Sequence, residues 1–174
     1  MTTTTVTPLL PWQDRWSRPS LDQLLTPIAD QQRKAFRNLL DRISDYDHVE
    51  QSIVWHGPGW NWTVQFEIKD DKGKIVDVLC YLVPRHEGPA FCVPLKNEIL
   101  EKLSLRRLHK FVRTGIRGAK RTVEYYWANW NVAASSEADQ LMELVKRKHK
   151  LTLDGRNIGR KKKRQRRSRG GVGG

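Results

Sequence analysis

Eight of the ten residues at 160–169 are cations: Arg160, Lys161, Lys162, Lys163, Arg164, Arg166, Arg167 and Arg169. A run of this density repels itself and has nothing apolar to bury, so it is expected to be disordered when free. Its chemistry suits a polyanion, because each Lys or Arg that neutralises a phosphate releases a condensed counterion. Phosphate contacts carry no sequence information, so the expected association with RNA or DNA is non-specific. The plain alternative is a solubilising tail. A second basic set, Arg106, Lys110, Arg113 and Arg117, is spaced four, three and four, which places it on one stripe of a helix. Alone, such a stripe is a solvated face; beside the tail it extends the same surface.

Aromatic chemistry is the second signal. Trp55, Trp60 and Trp62 flank His56-Gly57-Pro58-Gly59, a stretch of strong turn residues. Exposed tryptophans here can stack on bases or grip a small aromatic ligand, which makes Trp55, Trp60 and His56 the ligand-pocket candidates. Trp62 shares a face with Val64 and Phe66, so it is assigned to the core. Trp127 and Trp130 fall on opposite faces of their strand, and at most one belongs to a one-sided core.

No other chemistry has a pattern behind it. No two of His48, His56, His86, His109 and His149 have a metal-ligand spacing, and neither Cys80 nor Cys92 has a partner near it in sequence. A site joining His56, His86 and Glu87 would need the two turns to meet. Two cysteines are too few for a disulfide framework and read as reduced core thiols. There is no G-x-S-x-G, P-loop or dinucleotide fingerprint. No catalytic residue, metal or cofactor is therefore expected, and an enzyme ranks third among the function classes.

Lys and Arg number 32 against 19 Asp and Glu, a net charge of +13, and the pI is near 10.1. That balance favours nucleic acid or an anionic surface as partner. The mean hydropathy of −0.67 suits a small core with polar extensions. No apolar run approaches a membrane span, and residues 1–11 lack the basic-then-apolar order of a signal peptide. The expectation is a soluble, cytoplasmic protein with no membrane partner.

The elements that must position these residues follow from periodicity. Residues 1–19 read as a flexible arm, with Trp12 and Trp16 able to pin it to the body. Ser20 caps a short helix at 21–25. Thr26 and Pro27 open a longer one ending near Tyr46, with Ile28, Phe36, Leu39, Leu40 and Ile43 inward. Strands follow at 53–55, 61–69, 74–83 and 90–93, the last ended by Pro94. In the third strand Val76, Val78, Cys80 and Leu82 form one face, and Ile75, Leu79, Tyr81 and Val83 the other. Helices are expected at 96–103 and, with Ser104 as cap, from Leu105 to about Arg117, where Gly115 and Gly118 fray the end. A strand at 122–132 and a helix at 137–150, with Ser136 and Asp139 as a capping box, complete the domain. The domain boundaries are thus 1–19, 20–150 and a basic tail at 151–174.

Trp60-Asn61-Trp62 before the long strand, Leu79-Cys80-Tyr81-Leu82-Val83-Pro84 before a turn, Phe91 after it, and the segment from Tyr125 through Ser135-Ser136-Glu137 to Leu144 and Lys146 together resemble the YdhG-like bacterial domains of unknown function, some described as frataxin-like iron chaperones. The resemblance covers roughly residues 27 to 150 and implies a scaffold, with no catalytic residue to carry over. An iron-chaperone role would need an acidic surface, and this chain is basic. The tail is similar to the arginine-rich RNA-binding segment of lentiviral transactivators, departing from it at Lys163 and Ser168. The resulting expectation is an α+β domain: an antiparallel meander of about five strands, packed on one face by N- and C-terminal helices. Its expected function is that of a non-enzymatic accessory protein held on nucleic acid by its tail. The alternative is a small-molecule-binding domain with a pocket between sheet and helices and an incidental tail.

Overall fold

The structure, a computed structural model, describes residues 7–158. The basic run 160–169 lies outside the described residues. Before the first helix, the arm docks through Trp12, which is buried; its carbonyl accepts from the Trp62 N–H at 3.1 Å. Trp62 Nε1 also donates to the Asp14 carbonyl at 2.7 Å. Trp16 has no such role and is 88% exposed. One tryptophan of the pair therefore pins this segment.

Ser20 caps α1 (Leu21–Leu25) in a reciprocal box with Gln23. Thr26 closes α1 instead of opening the next helix: its N–H and its hydroxyl both bond back to the Asp22 carbonyl. For that reason α2 (Asp30–Ser44) begins at Asp30 and not at Pro27. The expected stripe of Phe36, Leu39, Leu40 and Ile43 is buried.

Four strands then form an antiparallel meander: β1 (Val49–Trp55), β2 (Trp62–Lys69), β3 (Ile75–Val83) and β4 (Ala90–Lys96). Pro94 does not end β4. Its carbonyl faces away from the next strand, and its missing N–H would face the same way, so the ladder on the other side runs on to Lys96. The expected strand 122–132 is a hairpin of two-residue β5 (Lys120–Arg121) and β6 (Tyr125–Asn131), closed by the Thr122 N–H on the Tyr125 carbonyl. The described sheet has six strands in the order β1-β2-β3-β4-β6-β5, every neighbour antiparallel.

Between β4 and β5 the expected single helix at 105–117 is broken. After α3 (Asn97–Lys102) comes a 3-10 turn at Leu105–Arg107, then extended backbone at Leu108, then α4 (Lys110–Arg117). The Arg147 guanidinium donates to the carbonyls of Ser104 and Arg107, acceptors that an unbroken helix would use itself. Gly115 does not fray α4. A Cβ there would collide with the Trp130 indole, so glycine lets α4 lie directly on β6, and Trp130 Nε1 donates to the Phe111 carbonyl at 3.2 Å.

The last helix, α5 (Ser135–Gly155), starts earlier and ends later than expected. Glu137, not Asp139, reaches back to the N–H groups of Ala133 and Ala134, while Asp139 pairs with Arg42 at 2.5 Å. Past residue 150 the helix still has a buried side: Thr152 is 7% exposed, and Leu151 and Leu153 pack on the core. The expected boundary at 150 thus falls inside α5. All five described α-helices join one core with Val64, Phe66, Ile68, Leu82, Phe91, Val93 and Trp130 of the sheet. No described helix is long and apolar enough to cross a membrane.

Candidate functional site

Among the described residues, the other face of the sheet carries no helix. Its apolar centre is Tyr81, Val83, Ala90 and Cys92, flanked by Trp60, Val78 and Trp127. Two register shifts between β2 and β3 produce this division. Phe66 lies opposite Cys80 and Glu67 opposite Val78, so Leu79 is the extra residue of a bulge. Leu79 and Cys80 therefore both join the helix-side core, while Val78 sides with Tyr81 and Val83. The strict alternation expected along β3 fails at this point.

Aromatic rings line that open face. The loop after β1 folds back on itself through His56 N–H to the Asn61 carbonyl and Asn61 N–H to the Gly57 carbonyl, with Gly57 at φ +84°. This brings Trp60 down onto Tyr81, with centroids 5.1 Å apart. Trp127 stands 6.0 Å from Trp60 and 6.1 Å from Tyr81, and Tyr125 is 5.7 Å further along β6. Together His56, Gly59, Trp60, Tyr81 and Trp127 line an open depression of about 320 Å³. Polar bonds hold the rings. Trp127 Nε1 donates to Thr122 Oγ1 at 3.2 Å, and Thr63 Oγ1 donates to the Trp60 carbonyl at 3.1 Å. Burial raises the Tyr81 phenol to about 12 and lowers the His56 imidazole below its usual value, so both are uncharged at neutral pH.

Beside the depression the sheet splits. β3 and β4 pair only from Tyr81–Val83 to Ala90–Cys92, and then diverge. Into the gap α5 sends Lys148, which is fully buried. Its ammonium donates to the carbonyls of Val78 at 2.5 Å, Leu79 at 3.2 Å and Pro94. Consecutive carbonyls of a regular strand point to opposite edges; the bulge turns those of Val78 and Leu79 to one side. Three protons thus meet three acceptors, in place of the missing ladder. Burial lowers the Lys148 pKa to about 8, against the attraction of Asp77. The buried Asp77 carboxylate lies 3.9 Å from Lys96 Nζ and 3.4 Å from the Tyr125 hydroxyl. Lys96 Nζ sits 5.5 Å over the Tyr125 ring. Lys96 also lines a second cleft, of about 130 Å³, with Lys102, Arg156, Asp77, Glu98 and Thr152.

Of the sequence candidates, His56 and Trp60 meet in the depression. Trp55 does not; it pairs across the ladder with Trp62, centroids 5.8 Å apart, at the helix side of the same hairpin. The depression lies on the open face and not between sheet and helices. Arg106, Lys110, Arg113 and Arg117 are no single stripe, because Arg106 belongs to the 3-10 turn; Arg113 is half-buried while the other three are exposed. Trp130 is core and Trp127 is not. Cys80 and Cys92 are free and buried, one in each cluster. His86 is exposed in its turn, away from the His56 cluster. Among the described residues no three of His, Cys, Asp and Glu are grouped to hold a metal ion. Sequence reasoning missed Tyr81, Tyr125, Lys96 and Lys148. Lys148 carried a usable signal: it is three residues beyond Val145 and seven beyond Leu141, on the inward stripe of α5.

The fold and this site define a class: an α+β domain whose antiparallel sheet has one helix-covered face and one aromatic face. Comparison with known proteins takes the assignment no further, since no protein-family model and no curated protein matches the chain.

Proposed function

We propose that this chain is a non-enzymatic accessory protein that associates with RNA or DNA without sequence specificity through its C-terminal basic run. The observation that carries the reading is the position of the last described residues. α5 ends at Gly155, and Arg156 lines a cleft with Lys96 and Lys102. The basic run starts at Arg160, so body cations stand at its root. A chain of net charge +13 has a strong electrostatic reason to bind a polyanion there. The resemblance to the YdhG-like domains belongs to this reading as a proposal about scaffold only, and a cytoplasmic place of action goes with it.

The test is a salt titration of binding to RNA and to duplex DNA, for the full chain and for one ending at Ile158. That end keeps α5 whole, including the buried Thr152 and Ile158. The log–log salt slope of the full chain should exceed that of the shortened chain by about 4–7, near 0.7–0.9 for each phosphate that the tail neutralises. Equal slopes would remove the tail from the mechanism, and absence of binding at roughly 0.1 M salt would end the nucleic-acid reading.

A second reading, small-molecule binding, is favoured by the depression under Trp60. About 320 Å³ is at the low end of the size of small-ligand clefts, and its walls suit a planar ring. In that case full and shortened chains bind the small ligand alike.

A further inference from the structure

We propose that the open face of the sheet is a stacking platform for unpaired bases, so that the polyanion held by the tail is a single strand. This inference rests on the nucleic-acid reading above and names its partner. The platform is continuous with the tail root. From Arg156 and Lys102 the cleft leads to Lys96, whose ammonium lies over Tyr125. Tyr125 leads to Trp127, and Trp127 to Trp60 and His56, in steps of 5.7, 6.0 and 5.8 Å between ring centroids.

Three properties fit unpaired bases. First, the rings are available: Tyr125, Trp127 and Trp60 are part-exposed and His56 is exposed, while Tyr81 forms the floor. Second, they are held in place without a ligand, Trp127 by its bond to Thr122 and Trp60 by its loop. A platform that is already ordered loses little entropy when a base lands on it. Third, cations border the rings. Lys120 is the cross-strand partner of Trp127 and so shares its face, and Lys96 caps Tyr125. Of the carboxylates nearby, Asp77 is engaged by Lys96 and Tyr125 and Glu67 by the Gln65 amide, while Glu98 in the cleft and Glu124 beside Tyr125 are opposed by Lys96, Lys102, Lys120 and Arg156. Aromatic rings on an open sheet typically take about two or three bases, each with its sugar–phosphate at the edge. A duplex hides its base faces in the stack and cannot use such a surface.

The test measures binding of the full chain to a labelled pyrimidine single strand of about twelve nucleotides, within the usual span of such sites, and to a duplex of equal length. Trp127→Leu should weaken single-strand binding about 5- to 100-fold, the range of one base–ring stack, and leave duplex binding within about 2-fold. Trp127→Phe keeps a ring and should restore most of the loss, which separates stacking from damage to the fold; Tyr125→Leu should repeat the selective loss. Equal weakening of single strand and duplex, or none, overturns the platform while leaving the tail reading intact. A nucleoside monophosphate that binds as tightly as the strand overturns it too, giving the depression to a small ligand. If the unaltered chain binds neither nucleic acid, the underlying reading falls first.

Discussion

Phe66, Phe91 and Trp130 on one face of the sheet and Trp60, Tyr125 and Trp127 on the other are residues of one kind in two settings. The first three are sealed under helices, with a single polar bond among them, from Trp130 Nε1 to the Phe111 carbonyl. The second three touch mainly one another and keep part of each ring in water. Apolar packing dominates around the first set; the hydrogen bond to Thr122, the carboxylate of Asp77 and the bent loop help to hold the second. Aromatic content alone therefore does not separate core from site. What separates them is cover: helices close over the first set, and no described helix closes over the second.

The comparison can be broken first where the covered face is strongest. Phe66→Ala should lower the unfolding free energy by about 3–5 kcal/mol in a denaturant titration. Lys148→Met should have an effect of similar size, since three buried carbonyls lose their donor at ~1–3 kcal/mol each. A loss below about 1 kcal/mol would mean that water replaces the ammonium and that the split is not sealed. Gly115→Ala comes next, at about 1–3 kcal/mol in thermal unfolding, because the added methyl has no place to go against Trp130. On the open face, Trp127→Leu should lower stability by only about 1 kcal/mol, the size of an aromatic pair or two, so its damage to single-strand binding should exceed its damage to the fold.

The smallest and most diagnostic effect is on pH dependence. Burial raises Cys92 to about 12 and pushes Cys80 up as well, from an ordinary value of 9.0. The folded state thus holds those protons longer than the unfolded one, and their contribution is present below pH 9 and lost as pH rises beyond it. Lys148 has the opposite sign. Its pKa is lowered from 10.5 to about 8, so its contribution is present above 10.5 and lost as pH falls through 8. Between pH 8 and 10 the two oppose each other. Replacing both thiols with Ala should leave Lys148 opposed only by the tyrosines, whose raised phenols begin to count near pH 10, and stability measured under reducing conditions should then rise from about pH 8 to 9.5. A flat profile would show that the ammonium is held more firmly than its burial implies.

Much of the scaffold was legible because the hairpin turns and the alternation in β2 are local signals. Ser20 marked the start of α1, and Asn61 to Lys69 marked β2 almost to the residue. The errors fall where a distant group overrides a local pattern. Arg147 takes the carbonyls that a continuous helix at 105–117 needed, and β6 supports β4 through Pro94. Of the site, only Trp60 and His56 were legible, from the turn between them. Tyr81 was hidden in a run apolar at nearly every position, and the bulge at Leu79 decided which way it faced. Tyr125 and Lys96 become a site only through their register across β4 and β6.

The split sheet also sets an order on the chain's assembly. Val78, Leu79 and Pro94 are made early, but their donor at residue 148 is separated from Pro94 by 54 positions. At a synthesis rate of about 5–20 residues per second, that interval is roughly 3 to 11 seconds. Throughout it only the Asp77–Lys96 pair can bridge the split by side chains, and water must serve the three carbonyls. Closure of the split therefore waits on α5, the last described helix, and only some ten residues separate its lysine from the first cation of the run at 160–169.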